Sequence, residues 1–395
     1  MPWPITSMND VRREFVLKSL EAGRDFARLC QEYGISRKTG YKWKQRGLKG
    51  GLDALAELSR RPHCSPRQLA EDTVCTLIRL KLRHPHWGAK KLALVYARSG
   101  HPAPSLSTYQ RILAKAGLVA VRRRRRREEP GRIQTHLVAQ APNDVWTVDF
   151  KGWWLLRSGQ RCEPLTVRDA FSRYVLAVHI PAQANAAAVR AEFERLFARH
   201  GLPRVIKSDN GGPFAASRAL LGLSRLSAWW VALGIELDRS RPARPQDNGA
   251  HERLHRDIAC ELATQVVADR AEQQAACDVW REEFNHQRPH EALGGQCPAA
   301  VYRNSSRSYT PGPVRLEYGR GFFPRRIAAN GTVTWRQHRI FISGALAHCE
   351  VGLRRCDEDR FEVWLNYLFL GTLELQTSSF LGSPSLPKEA ARLSA

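Results

Sequence analysis

The stretch Val145-Trp-Thr-Val-Asp149-Phe-Lys-Gly152 decides how this chain is read. It is an apolar, β-branched run leading to an acid, the pattern of a buried strand with a carboxylate at its end. Two further acids have comparable settings. Asp209 follows Val205-Ile-Lys-Ser208 and precedes Asn-Gly-Gly212, while Glu252 lies in Pro245-Gln-Asp-Asn-Gly-Ala-His-Glu252-Arg-Leu-His255, just inside a predicted helix. Fifty-nine residues separate the first pair and 42 the second. If the two strands are neighbours in one sheet and the helix crosses them, the carboxylates converge. Such a set suits divalent cations, as phosphodiester chemistry requires. Oxygen-only ligands favour Mg²⁺ or Mn²⁺ over zinc, and two ions would bridge a scissile phosphate. None of the serines or cysteines has the setting of an activated nucleophile.

Around these acids, residues 140–270 alternate strand and helix patterns. Val145–Phe150, Leu165–Arg168 and Tyr174–Ile180 read as strands, 184–200 as an amphipathic helix, and Arg204–Ser208 as another strand. Residues 216–233 are mostly helical, 235–238 form a last strand, and Asp247 or Asn248 caps a helix reaching about Val267. This order predicts a mixed sheet flanked by helices. Asp169, Asp238, Asp247 and Asp257 are rival acids. Asp169 is expected in a turn and Asp247 at a helix cap. Asp257, five residues past Glu252, falls on a different helix face, so Asp257→Asn is expected to be harmless.

Charge divides the chain. The net +24 is concentrated in residues 1–140, which hold 29 Lys/Arg against 11 Asp/Glu. A polyanion is the expected partner. Residues 9–58 read as helices, with Tyr33-Gly-Ile-Ser36 as the turn and Ser36 as cap of a basic helix, which is the helix-turn-helix pattern. Arg37, Lys38, Lys42, Lys44 and Arg46 would meet phosphates or base edges. Residues 67–118 form a second such unit, with Arg111 on its last helix. Residues 119–139 are a basic linker whose six arginines, Arg122, Arg123, Arg124, Arg125, Arg126 and Arg127, should repel one another and lie along phosphates.

From about 310 the texture changes to short alternating runs separated by turn residues. Residues 310–378 are therefore expected to form a small β-barrel, and 379–395 a disordered tail. No apolar run approaches a membrane span, and the N-terminus lacks a secretory h-region. Nine cysteines without paired spacing argue against structural zinc and suit a reducing cytosol.

The middle of the chain resembles the integrase core of bacterial insertion-sequence transposases of the Asp-Asp-Glu type, relatives of retroviral integrases. The matching strings are Trp146-Thr-Val-Asp149-Phe-Lys-Gly152, Ser208-Asp209-Asn-Gly-Gly212, Arg244-Pro-Gln-Asp-Asn-Gly-Ala-His-Glu252-Arg, and Phe284-Asn285 with Arg288-Pro-His-Glu-Ala-Leu293. They occur in the family's order over about 140–302. The resemblance implies a ribonuclease H-like fold and a catalytic, metal-binding site at Asp149, Asp209 and Glu252. It also implies metal-dependent cleavage of DNA and transfer of a 3′-hydroxyl into target DNA. Two element ends handled together imply a homodimer or higher oligomer on double-stranded DNA, in the cytoplasm with the bacterial nucleoid. Asn210, Arg253 and Arg256 would touch DNA beside the acids. The gap before Glu252 is longer than the commonest spacing, and the zinc-binding module of retroviral integrases is absent. The rival readings are a helix-turn-helix regulator with an inactive core, which the presence of all three acids disfavours, and a structure-directed nuclease without joining activity.

Overall fold

The structure is a computed structural model and describes residues 7–58, 68–119, 138–240, 249–265 and 267–384. The chain divides into two compact units, Met1–Ala70 and Glu71–Ala395.

The first unit is helical: α1 (Met8–Lys18), α2 (Phe26–Glu32) and α3 (Arg37–Gly50), closed by a 3-10 turn at Leu52–Leu55. Ser7, Asp25 and Ser36 cap the three helices by accepting from backbone N–H groups of the first turn, which satisfies otherwise orphaned donors. Phe15, Val16, Leu29, Cys30 and Leu55 form the core.

The second unit opens with α4 (Glu71–Arg83), α5 (Ala89–Arg98) and α6 (Leu106–Lys115), packed around Leu77, Trp87, Leu92, Tyr96, Tyr109 and Leu113. Next come β1 (Val145–Phe150), the short hairpin β2 (Trp154–Leu155) and β3 (Arg161–Cys162), β4 (Leu165–Asp169), β5 (Val175–His179), α7 (Ala186–His200), β6 (Val205–Ser208), α8 (Arg225–Ala232) and β7 (Glu236–Arg239). The main sheet has the order β5-β4-β1-β6-β7. Its first three strands are antiparallel and β1, β6 and β7 are parallel. The helices α9 (Gly249–Glu261), α10 (Arg270–His286) and the short α11 (Pro298–Val301) follow. This is the mixed, helix-flanked sheet that the order of elements predicts. On one face Trp146, Val148 and Ile206 meet Phe193, Phe197 and Trp230 of α7 and α8. On the other, Val175 and Val178 meet Leu254 and Ile258 of α9 and Trp280 of α10.

The C-terminal region differs from the expected barrel. It comprises β8 (Phe322–Arg326), β9 (Thr332–Trp335), β10 (His338–Phe341), β11 (Glu350–Arg355), β12 (Arg360–Leu365), β13 (Leu368–Glu374) and β14 (Ser379–Gly382). Five strands form an open antiparallel sheet, β14-β13-β12-β11-β8, and β9–β10 is a separate hairpin. Among the described residues no ladder joins the edge strands β8 and β14, so the sheet does not close. Pro324 lies in β8, and a strand residue without an N–H belongs at an edge. Residues 379–382, read as the start of a tail, instead pair with β13. The sheet packs on α8, with Tyr367 Oη donating to Ile235 O at 2.9 Å.

Candidate active site

Parallel pairing of β1 with β6 brings the first two acids together. The ladder runs through Val145 with Val205 and Thr147 with Lys207. Two residues further on, Asp149 and Asp209 stand at the same level at the carboxyl ends of adjacent strands. Asp209 turns into its own loop, where its Oδ1 accepts from Gly211 N at 3.1 Å. A Cβ on Gly211 would lie 2.9 Å from Asp209 Oδ2, so only glycine leaves that carboxylate its room. Asn210 Nδ2 donates to Ser240 O at 2.7 Å and ties the loop to the end of β7.

Glu252 is exposed on the first turn of α9, where a carboxylate faces the positive end of the helix dipole. The face of α9 against the sheet is set by two i, i+4 pairs. Leu254 and Ile258 are buried in the apolar cluster. His251 and His255 instead reach two strand threonines. His251 Nδ1 lies 2.8 Å from Thr147 Oγ1, and its Nε2 lies 2.6 Å from Thr166 Oγ1. His255 Nε2 lies 2.8 Å from the same Thr166 hydroxyl, which donates to Asp149 O at 2.9 Å. A hydroxyl has one proton, so both imidazoles must donate to Thr166 through Nε2–H. Burial, before any nearby charge, lowers both histidine pKa values, that of His255 to about 4. They are therefore neutral, and the Nδ1 lone pair of His255 faces Asp149 Oδ2 at 3.9 Å.

Burial raises the Asp149 pKa to about 7, with the Asp209 carboxylate adding to the rise and Glu252 contributing less. Asp149 thus feels the charge of both other acids, as a shared site requires. Among the described residues no three His, Cys, Asp or Glu side chains stand close enough to hold one metal ion. Asp149 and Asp209 are neighbours by strand register, and Glu252 is within electrostatic range of them.

The rival acids are otherwise occupied. Buried Asp169 accepts from Asn143 N and Ser172 N, both at 2.7 Å, and shapes a turn. Asp238 lies 3.3 Å from Lys207 Nζ. Asp257 pairs at 2.8 Å with Arg288, which is buried. Its replacement is therefore not the harmless change its helix position suggested, because it would strip a buried guanidinium of a partner. Asp247 lies outside the described residues.

Of the residues expected to meet DNA, Arg37, Lys38 and Lys42 are exposed on α3. Lys44 donates to Ser19 O at 2.7 Å and Arg46 to Ala56 O at 2.8 Å, so both brace their own unit. Arg111 is exposed on α6, as are Asn210 beside Asp209 and Arg253 and Arg256 on α9. Arg122, Arg123, Arg124, Arg125, Arg126 and Arg127 lie outside the described residues. Sequence reading missed Thr147, Thr166 and His251. Their signal was present: histidines four apart flank Glu252, and a threonine occupies each of two neighbouring strands.

The chain is similar to known proteins. The chain matches an integrase core domain over residues 139–245 and again over 233–298. It matches a helix-turn-helix domain over 11–63 and a homeodomain-like domain over 39–113. The 31.7 kDa protein of insertion element IS407 from Burkholderia multivorans is 30% identical over 225 residues, spanning 56% of this chain and 78% of that protein. The 39.2 kDa protein of insertion element IS476 from Xanthomonas euvesicatoria is 28% identical over 244 residues, spanning 60% and 68%. The catalytic core domain of BIV integrase is 23% identical and covers 40% of this chain and 93% of that one, with a TM-score of 0.31. A helix-turn-helix region ahead of an integrase core defines a DNA-binding enzyme of the polynucleotidyl transferase type that acts in DNA recombination. The chain belongs to the bacterial insertion-element transposases with an integrase-like core. Among its described residues no helix is long and apolar enough to cross a membrane.

Proposed function

We propose that the chain binds the ends of its element through residues 9–58 and 67–118, cleaves a phosphodiester there, and joins the freed 3′-hydroxyl to target DNA. Asp149, Asp209 and Glu252 are the catalytic residues of this reading. The observation that carries it is the adjacent placement of Asp149 and Asp209 at parallel strand ends, with the Asp149 pKa raised to about 7 by burial and by both other acids.

The donor set fits a divalent cation. It is all carboxylate oxygen, and crowded anions are relieved by a counter-charge. Mg²⁺ or Mn²⁺, as two ions, would be held by Asp149, Asp209 and Glu252 and would supply positive charge to the reacting phosphate and its attacking oxygen. The chain's residues do the rest. Arg253 and Arg256 offer guanidinium groups for phosphates beside Glu252, and Asn210 closes the loop behind Asp209. His251 and His255 hold α9 to the sheet through Thr147 and Thr166. In the first step a water oxygen bonds to phosphorus and gives a proton to solvent, while the bond from phosphorus to the 3′-oxygen breaks and that oxygen takes up a proton as the 3′-hydroxyl. In the second, the 3′-hydroxyl gives its proton to solvent as its oxygen bonds to a target phosphorus, and the displaced target 3′-oxygen takes up a proton. Two ends in one reaction call for a homodimer or larger assembly on the DNA, within the bacterial cytoplasm at the nucleoid.

The test uses the full chain and a labelled duplex from the DNA flanking its coding region. Asp149→Asn and Glu252→Gln are expected to lose cutting and joining while binding the duplex within twofold of wild type. Asp278→Asn, an exposed acid on α10, is expected to retain both activities. Joining by Asp149→Asn at the wild-type rate would end the assignment. Tight binding without nicking by the unaltered chain would favour the regulator.

A further inference from the structure

The string Phe284-Asn285 with Arg288-Pro-His-Glu-Ala-Leu293 stands apart from the three acids, yet it joins three parts of the second unit. Asn285 makes a two-way bond with the backbone of β5: its Oδ1 accepts from Val175 N at 2.8 Å and its Nδ2 donates to Val175 O at 2.9 Å. Arg288 spans two carboxylates one turn apart on α9, reaching Asp257 at 2.8 Å and Glu261 at 3.2 Å. Trp280 Nε1 donates to the same Glu261 at 2.6 Å. Arg288 is 3% exposed, so this fork is buried, and its planar geometry suits two acceptors in a way a lysine cannot.

The helical region α4–α6 closes over the same residues. The Trp87 ring lies 5.8 Å from the Arg288 guanidinium. Lys91 is half-buried near Arg288, Asp257 and Glu261, and its pKa falls to about 8, chiefly through burial. Around them, His84 Nδ1 sits 3.0 Å from Glu283, Lys90 pairs with Glu291, and Arg98 donates to Gly295 O at 2.6 Å. One surface of α5 is therefore committed to the core. α9 is held at its Glu252 end by His251 and His255 and at its far end by Arg288.

We propose that Arg288 is a positioning residue for α9, and through it for Glu252, and that Trp87 and α5 complete this clasp, making the region α4–α6 a structural part of the catalytic centre. The proposal rests on the reading of Glu252 as a catalytic acid. It adds that residues 84–98 support catalysis from behind as well as belonging to an end-binding region.

The experiment uses the full chain with the flanking-DNA duplex. Arg288→Lys keeps the charge and loses the fork. The cutting rate at saturating duplex is expected to fall at least tenfold, with the KM for duplex within twofold. Amide exchange over 253–258 should rise at least tenfold, while exchange in β1 and β6 stays as in wild type. Trp87→Phe, from the opposite side of the seam, should give the same pattern more weakly, and is read alone if Arg288→Lys does not fold. Unchanged exchange in α9 overturns the proposal. So does acceleration spread evenly over sheet and helix, which is general destabilisation, or a loss of cutting matched by a loss of duplex binding. Asp149→Asn is measured alongside. If it cuts like wild type, the catalytic assignment has failed, and the exchange pattern still decides whether Arg288 and Trp87 hold α9.

Discussion

At the residue scale the site depends on small fits around its carboxylates. Gly211 is the sharpest case. A methyl group there would meet the Asp209 carboxylate, the mobile end of a side chain, rather than backbone. The carboxylate can swing away at little cost in stability, but it then leaves the position opposite Asp149. Gly211→Ala should thus unfold within about 1 kcal/mol of wild type and lose on the order of 100-fold in cutting, the scale that a 1 Å misplacement commands. Paired urea unfolding and cutting assays check this, and an active, stable variant would remove Gly211 from the argument. The placement of Asp149 and Asp209 at strand ends and of Glu252 at a helix start was legible, because each sits in a distinctive string. Their support was not. Whether Thr166 faces α9 depends on the pairing of β1 with β4, which opposes Asp149 to Thr166, and that register is a tertiary fact.

At the element scale, α3 shows how a sequence rule can mislead in detail. Gly40 lowers helix propensity, yet α3 runs unbroken through it. The reason is contact: a Cβ at Gly40 would lie 2.6 Å from Cys30 Sγ and 3.1 Å from both Phe15 and Phe26. The glycine lets α3 lie against α1 and α2, which leaves Lys38, Tyr41, Lys42, Gln45 and Lys49 exposed on the other side. Gly40→Ala gains intrinsic helix propensity of about 1 kcal/mol and overpacks the core by about 1–3 kcal/mol. The net expectation is a less stable first unit and weaker duplex binding, while Glu71–Ala395 unfolds as before. Local unfolding followed by amide exchange separates the two units. A first unit made more stable would show that α3 can shift outward. Whereas β14 was expected to be part of a tail, the strands β9 to β13 were legible as alternating runs. β8 was not, because Phe322-Phe-Pro-Arg-Arg326 has neither alternation nor an unbroken set of N–H donors, and only its place at a sheet edge makes it a strand.

At the scale of the whole molecule, the order of strands and helices was readable because the core strands carry apolar, β-branched runs such as Val145-Trp-Thr-Val148 and Val175-Leu-Ala-Val178 and α7 is amphipathic. The docking of α5 on the core was not readable. It rests on pairs 201 and 197 residues apart, Lys90 with Glu291 and Arg98 with Gly295, and no local pattern encodes them. The same burial that builds these seams sets the acid stability of the second unit. Burial depresses His200 to about 4, His290 to about 3, and His84 below its ordinary value. A histidine depressed in the folded state stabilises the fold above the unfolded pKa near 6.5, and that contribution is lost as pH falls through the folded value. His200 and His290 each cost about 1.4 kcal/mol per pH unit over that window. Asp149 works in the opposite sense. Its pKa is raised to about 7, so its penalty is relieved as pH falls from 7 toward 4, offsetting about one histidine. His200, His290 and His255, whose depressed values are about 4, 3 and 4, set against that carboxylate leave a net loss of up to about 3 kcal/mol per pH unit between pH 6 and 4.5, and His84 and His251 add in the same direction. His200→Gln tests the account, because His200 is buried with its Nδ1 3.2 Å from Asn304 Oδ1, a bond an amide can replace. Unfolding free energies from urea titrations at pH 6.5, 5.5 and 4.5 should fall less steeply in this variant, by about 1.4 kcal/mol per pH unit. An unaltered slope would mean that His200 takes up its proton without unfolding, and that the acid sensitivity of this unit lies elsewhere.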